Sequence, residues 1–278
     1  MLITLLDKIL APGAISTVFQ PICRIDAAGF KPVIVECLSR GPASTNAGNA
    51  GVLFEYAQLK AAEPLVDRAC IATALDAVAP LRRPEKFSLN VFAATLVRDA
   101  GIVGWIGERL NRLRLNPSSL IFELVEHGEA WDTEIFLKSL RDIRAMGSAI
   151  ALDDVGLAHS NFQRILDCDP EFLKLDRCIV RNCGQDERRQ ALLKSLGLLA
   201  KDLGSSLIAE GVETWEELDT LRSHEISLFQ GFLLSKPAPA ADLPKLLAAI
   251  ALRQPAMPMS EIELIQKKAA PRVLQRTI

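Results

Sequence analysis

Acidic or amide residues stand at or near the ends of short apolar runs along this chain. The apolar run at 149–152 is followed directly by two carboxylates, Asp153 and Asp154, and then by Gly156. Other polar residues in comparable positions are Glu36, Asn90, Glu123, Lys174, Glu210 and Gln230. Carboxylates that converge in a low-dielectric pocket need cations as partners. Because no cysteine or histidine belongs to this set, we expect a hard ion such as Mg²⁺ or Mn²⁺.

Adjacent carboxylates such as Asp153 and Asp154 can serve two ions at once. Two ions about 3.5–4 Å apart activate a water and stabilise the charge of an in-line phosphoryl displacement. Lys174 adds a fixed positive charge for that water or for a phosphate oxygen. Arg40, just past the Glu36 run, could bind a phosphate through two parallel hydrogen bonds. These residues therefore indicate metal-assisted phosphodiester hydrolysis.

Each of these residues, taken alone, also has a structural explanation. A strand-end Asp, Glu or Asn often caps the helix that follows, Lys174 could be a solvated charge, and Gln230 could hydrogen-bond a loop. The repetition of the pattern along the chain is what favours one shared site over unrelated caps.

The elements that would position this site alternate between strands and helices, which predicts a parallel sheet with right-handed crossovers. Two apolar segments at 15–22 and 31–38, joined through Asp26 and Gly29, predict an opening hairpin. About seven strand–helix units follow. The sequence thus predicts an α/β fold, a (β/α)8 TIM-like barrel with one antiparallel strand from the opening hairpin. Functional residues of such a barrel lie at the carboxyl ends of its strands.

The expected organisation along the chain has three parts. Residues 1–14 hold an amphipathic helix, residues 15–252 the barrel, and residues 253–278 a linker with a short C-terminal helix or tail. The net charge of −2 argues against binding to a DNA or RNA polymer or to an anionic membrane. Six cysteines without a C-x-x-C pair indicate reduced core thiols. No apolar run approaches the roughly 18 residues of a membrane span, so a cytoplasmic protein is expected.

The ordered motifs resemble those of the EAL-domain family of cyclic di-GMP phosphodiesterases, over about residues 16–252. The motifs that carry this resemblance are Phe19-Gln20-Pro21-Ile22, Glu36-Cys37-Leu38 with Arg40, Leu89-Asn90-Val91, Glu123-Leu124-Val125-Glu126, Asp153-Asp154-Val155-Gly156, Leu173-Lys174-Leu175-Asp176, Ala209-Glu210-Gly211-Val212-Glu213 and the segment 230–237. Such a resemblance implies a barrel enzyme that cleaves cyclic di-GMP to linear pGpG.

The resemblance also implies roles for individual residues. Two Mg²⁺ or Mn²⁺ ions, with Asp153 between them, would be held by Glu36, Asn90, Glu123, Asp153, Asp154 and Glu210. Lys174 would position the attacking water with Glu210 as its base, and Glu36 also belongs to the catalytic set. The substrate would contact Arg40 through a phosphate, and elsewhere Gln20, Leu38, Asp176 and Gln230. Glu126 and Glu213 would brace the loop after Asp154, beside which a homodimer is expected. Regulation would come from the terminal segments, the dimer or a separate partner.

Two alternatives stay open. The chain has Val155-Gly156-Leu157-Ala158-His159 where the family usually has F-G-T-G-Y, and this change supports a cyclic di-GMP receptor or partner-binding protein with little or no turnover. The other alternative is a different barrel enzyme in which Lys174 acts as a base and carboxylate-bound Mg²⁺ stabilises an enolate.

Overall fold

The computed structural model of the protein describes residues 3–26, 29–81, 85–125, 134–156 and 162–253. Within these ranges, nine strands belong to one sheet. The strands are β1 Ser16–Asp26, β2 Gly29–Arg40, β3 Lys86–Phe92, β4 Leu120–Val125, β5 Ala149–Val155, β6 Phe172–Leu175, β7 Ser206–Ala209, β8 Leu228–Phe229 and β9 Ala238–Pro239.

Eight of these strands close into a barrel. The sheet order runs from β2 through β8 to β1, and β1 also pairs with β2. β1 is antiparallel to both of its barrel neighbours, whereas successive pairs from β2 to β8 are parallel. The short strand β9 pairs with β1 outside this ring. The predicted (β/α)8 barrel with one antiparallel strand is therefore confirmed, and the opening hairpin is longer than the sequence pattern indicated.

Helices connect the strands in the alternating order that the sequence predicts. They are α1 Leu5–Leu10, α2 Ala50–Leu59, α3 Glu63–Val78, α4 Ala93–Arg98, α5 Ile102–Leu113, α6 Glu134–Ala145, α7 Phe162–Cys168, α8 Arg177–Val180, α9 Glu187–Asp202, α10 Trp215–Ser223 and α11 Leu243–Ala251. A capping box formed by Thr214 and Glu217 starts α10. Gly204 follows α9 with a φ of +73°, as expected for a glycine just past a helix end.

The main apolar core lies between the strands and the helices that cover them. Leu89, Phe122 and Leu152 from the strands share one buried cluster with Ile106 and Leu140 from the helices. Burial of side chains of this size contributes about 1.5–3 kcal/mol each, so the barrel wall and its helical cover stabilise one another.

The amino-terminal helix is part of the folded structure. Ile9 of α1 is buried in a second cluster with Leu53, Val66 and Phe92. Phe92 is the last residue of β3, so this helix packs close to the carboxyl end of a barrel strand. The predicted linker and C-terminal helix lie outside the described residues after Arg253.

Five of the six cysteines are buried, and Cys178 is exposed. Five cysteines are therefore core thiols, as the sequence predicts, and Cys178 differs from that prediction. Among the described helices, none combines the length and the apolar character that crossing a bilayer requires.

Candidate active site

Alternation along the strands produces the polar layer of the barrel. Side chains two residues apart point to the same side of a strand. The residue pairs with this spacing are Ile34 and Glu36, Ile121 and Glu123, Ala151 and Asp153, Phe172 and Lys174, Ile208 and Glu210, and Leu228 and Gln230. The first member of each pair belongs to one apolar cluster. The second members therefore form the next layer towards the carboxyl ends of the strands, where barrel enzymes carry their active sites.

Lys174 lies at the centre of this polar layer and is 2% exposed. Its Nζ atom is 2.6 Å from Glu210 Oε1 and 3.4 Å from Asp153 Oδ1. The same atom is 3.5 Å from Glu36 Oε1 and also contacts Glu123 Oε1. Burial alone would lower the pKa of Lys174, but these four carboxylates hold it well above its ordinary value. The ammonium is thus charged and serves as a shared counter-ion for four acidic side chains.

Glu36 is fixed by two amide side chains as well as by Lys174. Gln230 Nε2 donates to Glu36 Oε2 over 2.5 Å, and Asn90 Nδ2 donates to Glu36 Oε1 over 3.3 Å. Gln230 Nε2 also lies 3.2 Å from Gln20 Oε1. Burial opposes ionisation, yet Lys174 and these donors keep the pKa of Glu36 below its ordinary value. Glu36 is therefore firmly held in its charged form.

Other carboxylates of the site lack sufficient positive charge around them. Burial and the neighbouring Glu36 raise the pKa of Glu123 well above its ordinary value. Burial raises the pKa of Glu210 to about 8, although Lys174 opposes the rise. Burial and the adjacent Asp153 raise the pKa of Asp154 to about 6. One buried ammonium does not balance this group, which is the electrostatic condition under which a site binds further cations.

The oxygen atoms are arranged suitably for a divalent ion. Glu36, Glu123 and Glu210 each offer a carboxylate oxygen, and these atoms lie within 4.8 Å of one another. Glu123 Oε2 is buried and accepts no hydrogen bond within the described part of the chain. Such an all-oxygen set fits a hard cation, so the residues present are compatible with the metal chemistry expected from the sequence.

Asp154 has a backbone conformation that non-glycine residues seldom adopt, with a φ of +53°. Gly156 two residues later has a φ of +106°, and a Cβ atom there would lie 2.0 Å from Ile179 Cδ1. The turn that follows β5 therefore has no room for a side chain at Gly156, because Ile179 lies against it. Strained conformations of this kind are frequent at functional sites, which is consistent with a ligand role for Asp154.

A cavity of about 260 Å³ opens above Lys174. Its lining residues are Gln20, Glu36, Leu38, Asp153, Lys174, Arg177, Glu210, Gly211, Glu213, Gln230, Gly231 and Phe232. The structure therefore gathers all three predicted catalytic residues and three of the predicted substrate contacts around one opening. Asn90 and Glu123 do not line the cavity, but they belong to the same site because Asn90 contacts Glu36 and Glu123 contacts Lys174.

Three other predicted site residues have partners within the protein itself. Arg40 Nη1 donates to the carbonyl oxygen of Ser39, and Asp176 caps α8 by accepting from Cys178 N over 2.7 Å. Glu213 forms an ion pair of 2.8 Å with Arg177. Glu126 lies outside the described residues, as do positions 157–159 of the altered loop.

Sequence reasoning missed two prominent residues of the cavity, Arg177 and Phe232. Phe232 is an aromatic side chain with 55% exposure at the opening. Arg177 packs across Gly211, where a Cβ atom would lie 2.5 Å from its Cγ. A signal was present for both, since Arg177 directly follows Asp176 and Phe232 comes two residues after Gln230, but residue type alone did not show which way they point.

Comparison with known proteins identifies this arrangement. Residues 5–237 match the family described as the EAL domain. The chain belongs to the EAL domain family. Two similar curated relatives come from Pseudomonas aeruginosa. The cyclic di-GMP phosphodiesterase RocR is 33% identical over 162 residues, which are 58% of this chain and 41% of RocR. The bifunctional diguanylate cyclase/cyclic di-GMP phosphodiesterase MucR is 33% identical over 52% of this chain and 21% of its own length.

Solved EAL structures share the same fold. The Klebsiella pneumoniae BlrP1 complex with manganese and cy-diGMP at pH 6 has a TM-score of 0.73 and 29% identity, over 82% of this chain and 57% of BlrP1. The PaMucR phosphodiesterase complex with c-di-GMP has a TM-score of 0.72 and 26% identity, over 83% of this chain and 99% of that chain. The similarity to the curated relatives spans less than half of their lengths, so it identifies the domain.

Proposed function

We propose that this EAL domain hydrolyses cyclic di-GMP to linear pGpG with two divalent cations, Mg²⁺ or Mn²⁺. The observation that carries the proposal is the group of four carboxylates around buried Lys174 at the base of an open cavity. Support also comes from relatives that are named cyclic di-GMP phosphodiesterases and from a neighbouring structure that contains manganese and the cyclic dinucleotide.

The cation ligands in this proposal come from four strands of the barrel and from the position directly after a fifth, β7. They are Glu36, Asn90, Glu123, Asp153, Asp154 and Glu210. The five carboxylates among them exceed the charge of Lys174 by four, which is the charge that two divalent ions supply. When bound, such ions would stabilise the negative charge on the phosphoryl group under attack. Calcium should inhibit, because it prefers looser and more variable coordination.

Residues around the cavity would bind and orient the substrate. Gln20, Leu38 and Gln230 line the opening and would contact the nucleotide. Arg40 would bind a phosphate if its side chain leaves the Ser39 carbonyl, and Asp176 would contact the nucleotide while it caps α8. Glu126 and Glu213 would brace the loop after Asp154.

The reaction would transfer one proton from water to the leaving oxygen. Water oxygen attacks phosphorus, the bond from phosphorus to the 3′ oxygen breaks, and that oxygen leaves as a hydroxyl. Lys174 would orient the water through its ammonium protons, and Glu210, 2.6 Å from Lys174, would take the proton from the water and pass it to the 3′ oxygen as that oxygen leaves. The product keeps the phosphate on the 5′ carbon, which defines linear pGpG.

The test is incubation of the purified protein with cyclic di-GMP and Mn²⁺, with products separated by chromatography. The proposal expects pGpG from the wild type. Replacing Glu36 with Gln keeps the shape of the side chain and removes the ligand charge, so turnover should fall at least about 100-fold, since even residues behind the ligands contribute 10–100-fold. Glu108→Gln, at an exposed position of α5, is the matched control and should leave the rate unchanged.

Wild-type turnover in Glu36→Gln would overturn the proposed site. Intact substrate that binds with measurable affinity in calorimetry would instead favour the receptor function suggested by the altered loop. A protein that neither binds nor cleaves cyclic dinucleotides would favour the alternative of a different barrel enzyme, in which Lys174 acts as a base. The homodimer, the separate regulatory partner, the cytoplasmic location and the three-part division of the chain stay predictions.

A further inference from the structure

The segment after β8 forms one tight turn beside the cavity. The backbone amides of Leu234 and Ser235 both donate to the carbonyl oxygen of Gly231 over 3.0 Å. Phe232, whose ring lines the cavity opening, belongs to this turn. As at the end of a helix, the last carbonyl groups of such a turn have no amide of the same turn to accept from. We call residues 231–235 the cavity turn.

Arg253 supplies the missing donor. This residue lies two positions after Ala251, the last residue of α11, and its Nη1 atom lies 3.0 Å from the carbonyl oxygens of both Leu233 and Leu234. A charged guanidinium forms stronger hydrogen bonds than a neutral donor. Arg253 lies beyond residue 237, where the match to the EAL domain ends, so the family resemblance assigns it no role.

The cavity turn is also connected to the polar layer of the barrel. Gln20 Nε2 donates to the carbonyl oxygen of Ser235 over 2.9 Å, and Gln20 Oε1 lies 3.2 Å from Gln230 Nε2. The same Gln230 atom donates to Glu36. A continuous set of hydrogen bonds therefore runs from Arg253 through the turn to a carboxylate of the candidate metal site.

Val212 holds the opposite side of the cavity turn. Leu233 N donates to the carbonyl oxygen of Val212, and Val212 N donates to the carbonyl oxygen of Gln230, each over 3.0 Å. At Gly231, a Cβ atom would lie 2.0 Å from the Val212 oxygen. The turn thus depends on Val212 at its start and on Arg253 at its end.

We propose that Arg253 is a positioning residue that fixes the cavity turn and thereby sets the affinity for the nucleotide. Phe232 lies at the opening, with 55% of its surface exposed, whereas Gln230, Lys174 and the carboxylates lie at the base. Without Arg253 the turn samples several conformations, and the nucleotide binds only those in which Phe232 is correctly placed, which weakens the apparent affinity. Lys174 and the carboxylates, which would carry out the chemical step, are not changed by the loss of Arg253. The affinity effect rests on the proposed function, but the effect on the turn does not.

The experiment compares Arg253→Met and Arg253→Lys with the wild type in the full chain. Arg253→Met should raise KM for cyclic di-GMP about tenfold, as expected for loss of charge-assisted hydrogen bonds, while kcat stays within about twofold. Arg253→Lys retains a cationic donor and should restore part of the affinity. Arg222→Met is the control, because Arg222 lies on α10 and forms a partly exposed ion pair of 3.6 Å with Asp219.

A second measurement does not depend on turnover. Amide hydrogen exchange at Leu233, Leu234 and Ser235 should become faster in Arg253→Met, and the amides of β4 and β5 should keep the wild-type rate, because only the turn is released. If Arg253→Met does not fold, Arg253→Lys is measured in the same two ways.

Unchanged exchange in the turn would overturn the positioning role, and so would equal acceleration throughout the barrel. A fall in kcat with unchanged KM would overturn the assignment to affinity. If the wild type neither binds nor cleaves cyclic di-GMP, the proposed function fails, and the exchange experiment still decides whether Arg253 fixes the turn.

Discussion

Replacement of Lys174 by Met removes the single buried ammonium from the candidate site and leaves an unbranched side chain in its place. Four carboxylates lie within 3.5 Å of that ammonium, and the lysine is 2% exposed. The variant therefore has a cluster of buried acids without their shared counter-ion. We predict a loss of turnover and a loss of stability that depends on pH.

The size of the effect follows from the burial of the cluster. Removing one partner of a buried ionic group typically costs about 3–5 kcal/mol, because the remaining charges stay desolvated. In the variant, the folded-state pKa values of Glu123 and Glu210 rise further above their unfolded values. A carboxylate with a raised folded-state pKa favours folding at low pH, and this contribution is lost as pH rises through the folded value. The deficit should therefore be largest at pH 8 and much smaller at pH 5.

Denaturant unfolding at both pH values, with and without Mn²⁺, measures this prediction. Mn²⁺ at a hundredfold excess over its dissociation constant adds about 2.7 kcal/mol to the stability of the state that binds it, so it should restore part of the loss at pH 8. Lys138→Met is the control, because Lys138 is 67% exposed in a surface pair with Asp142 and should change stability by at most about 0.5 kcal/mol. A Lys174→Met protein that is equally stable relative to wild type at pH 5 and pH 8, or that turns over substrate normally, would refute the counter-ion role.

Two further predictions concern the fold around the site. Asp67 is buried, and burial raises its pKa from 3.8 to about 7, so its contribution to stability is complete below pH 4 and is lost as pH rises to 7, by up to about 4 kcal/mol. Asp67→Asn should remove this dependence, and unfolding curves that keep the wild-type slope between pH 4 and 7 would contradict the assignment. Gly231→Ala should destabilise the protein by about 1–3 kcal/mol through its contact with Val212 O, whereas Gly104→Ala, with no atom within 4 Å, should stabilise α5 by about 0.5–1 kcal/mol. Equal melting temperatures of the two alanine variants would show that the turn adjusts without cost.

The sequence predicted the barrel because its signals are local. Each strand is a short apolar run, each is followed by a helical pattern, and the opening hairpin contains a turn at 26–29. The polar layer could also be predicted, because residues such as Glu123 and Asp153 stand at or near the ends of apolar runs, and parallel strands bring those ends to one face. Backbone periodicity is sufficient for both inferences.

Other parts of the site depend on tertiary geometry. The sequence gives no sign that Lys174 contacts four carboxylates at once, since these residues come from five separate strands or their ends. The position of Arg253 beside the cavity turn depends on where α11 ends in space. Arg40 and Asp176 illustrate the same point, because both can hydrogen-bond the nearby backbone and sequence cannot rank that contact against one to a ligand.

The shared position of Lys174 also explains how one pocket can hold so many acidic groups. Part of the negative charge is balanced by the ammonium, and the raised pKa values of Glu123 and Glu210 show that protons balance more of it. A divalent cation that binds these oxygens has to displace those protons, since a carboxylate ligand is deprotonated. Metal binding should therefore strengthen as pH rises towards the Glu210 value of about 8, while Glu36, which is already held in its charged form by Gln230 and Lys174, provides the ligand that needs no such exchange.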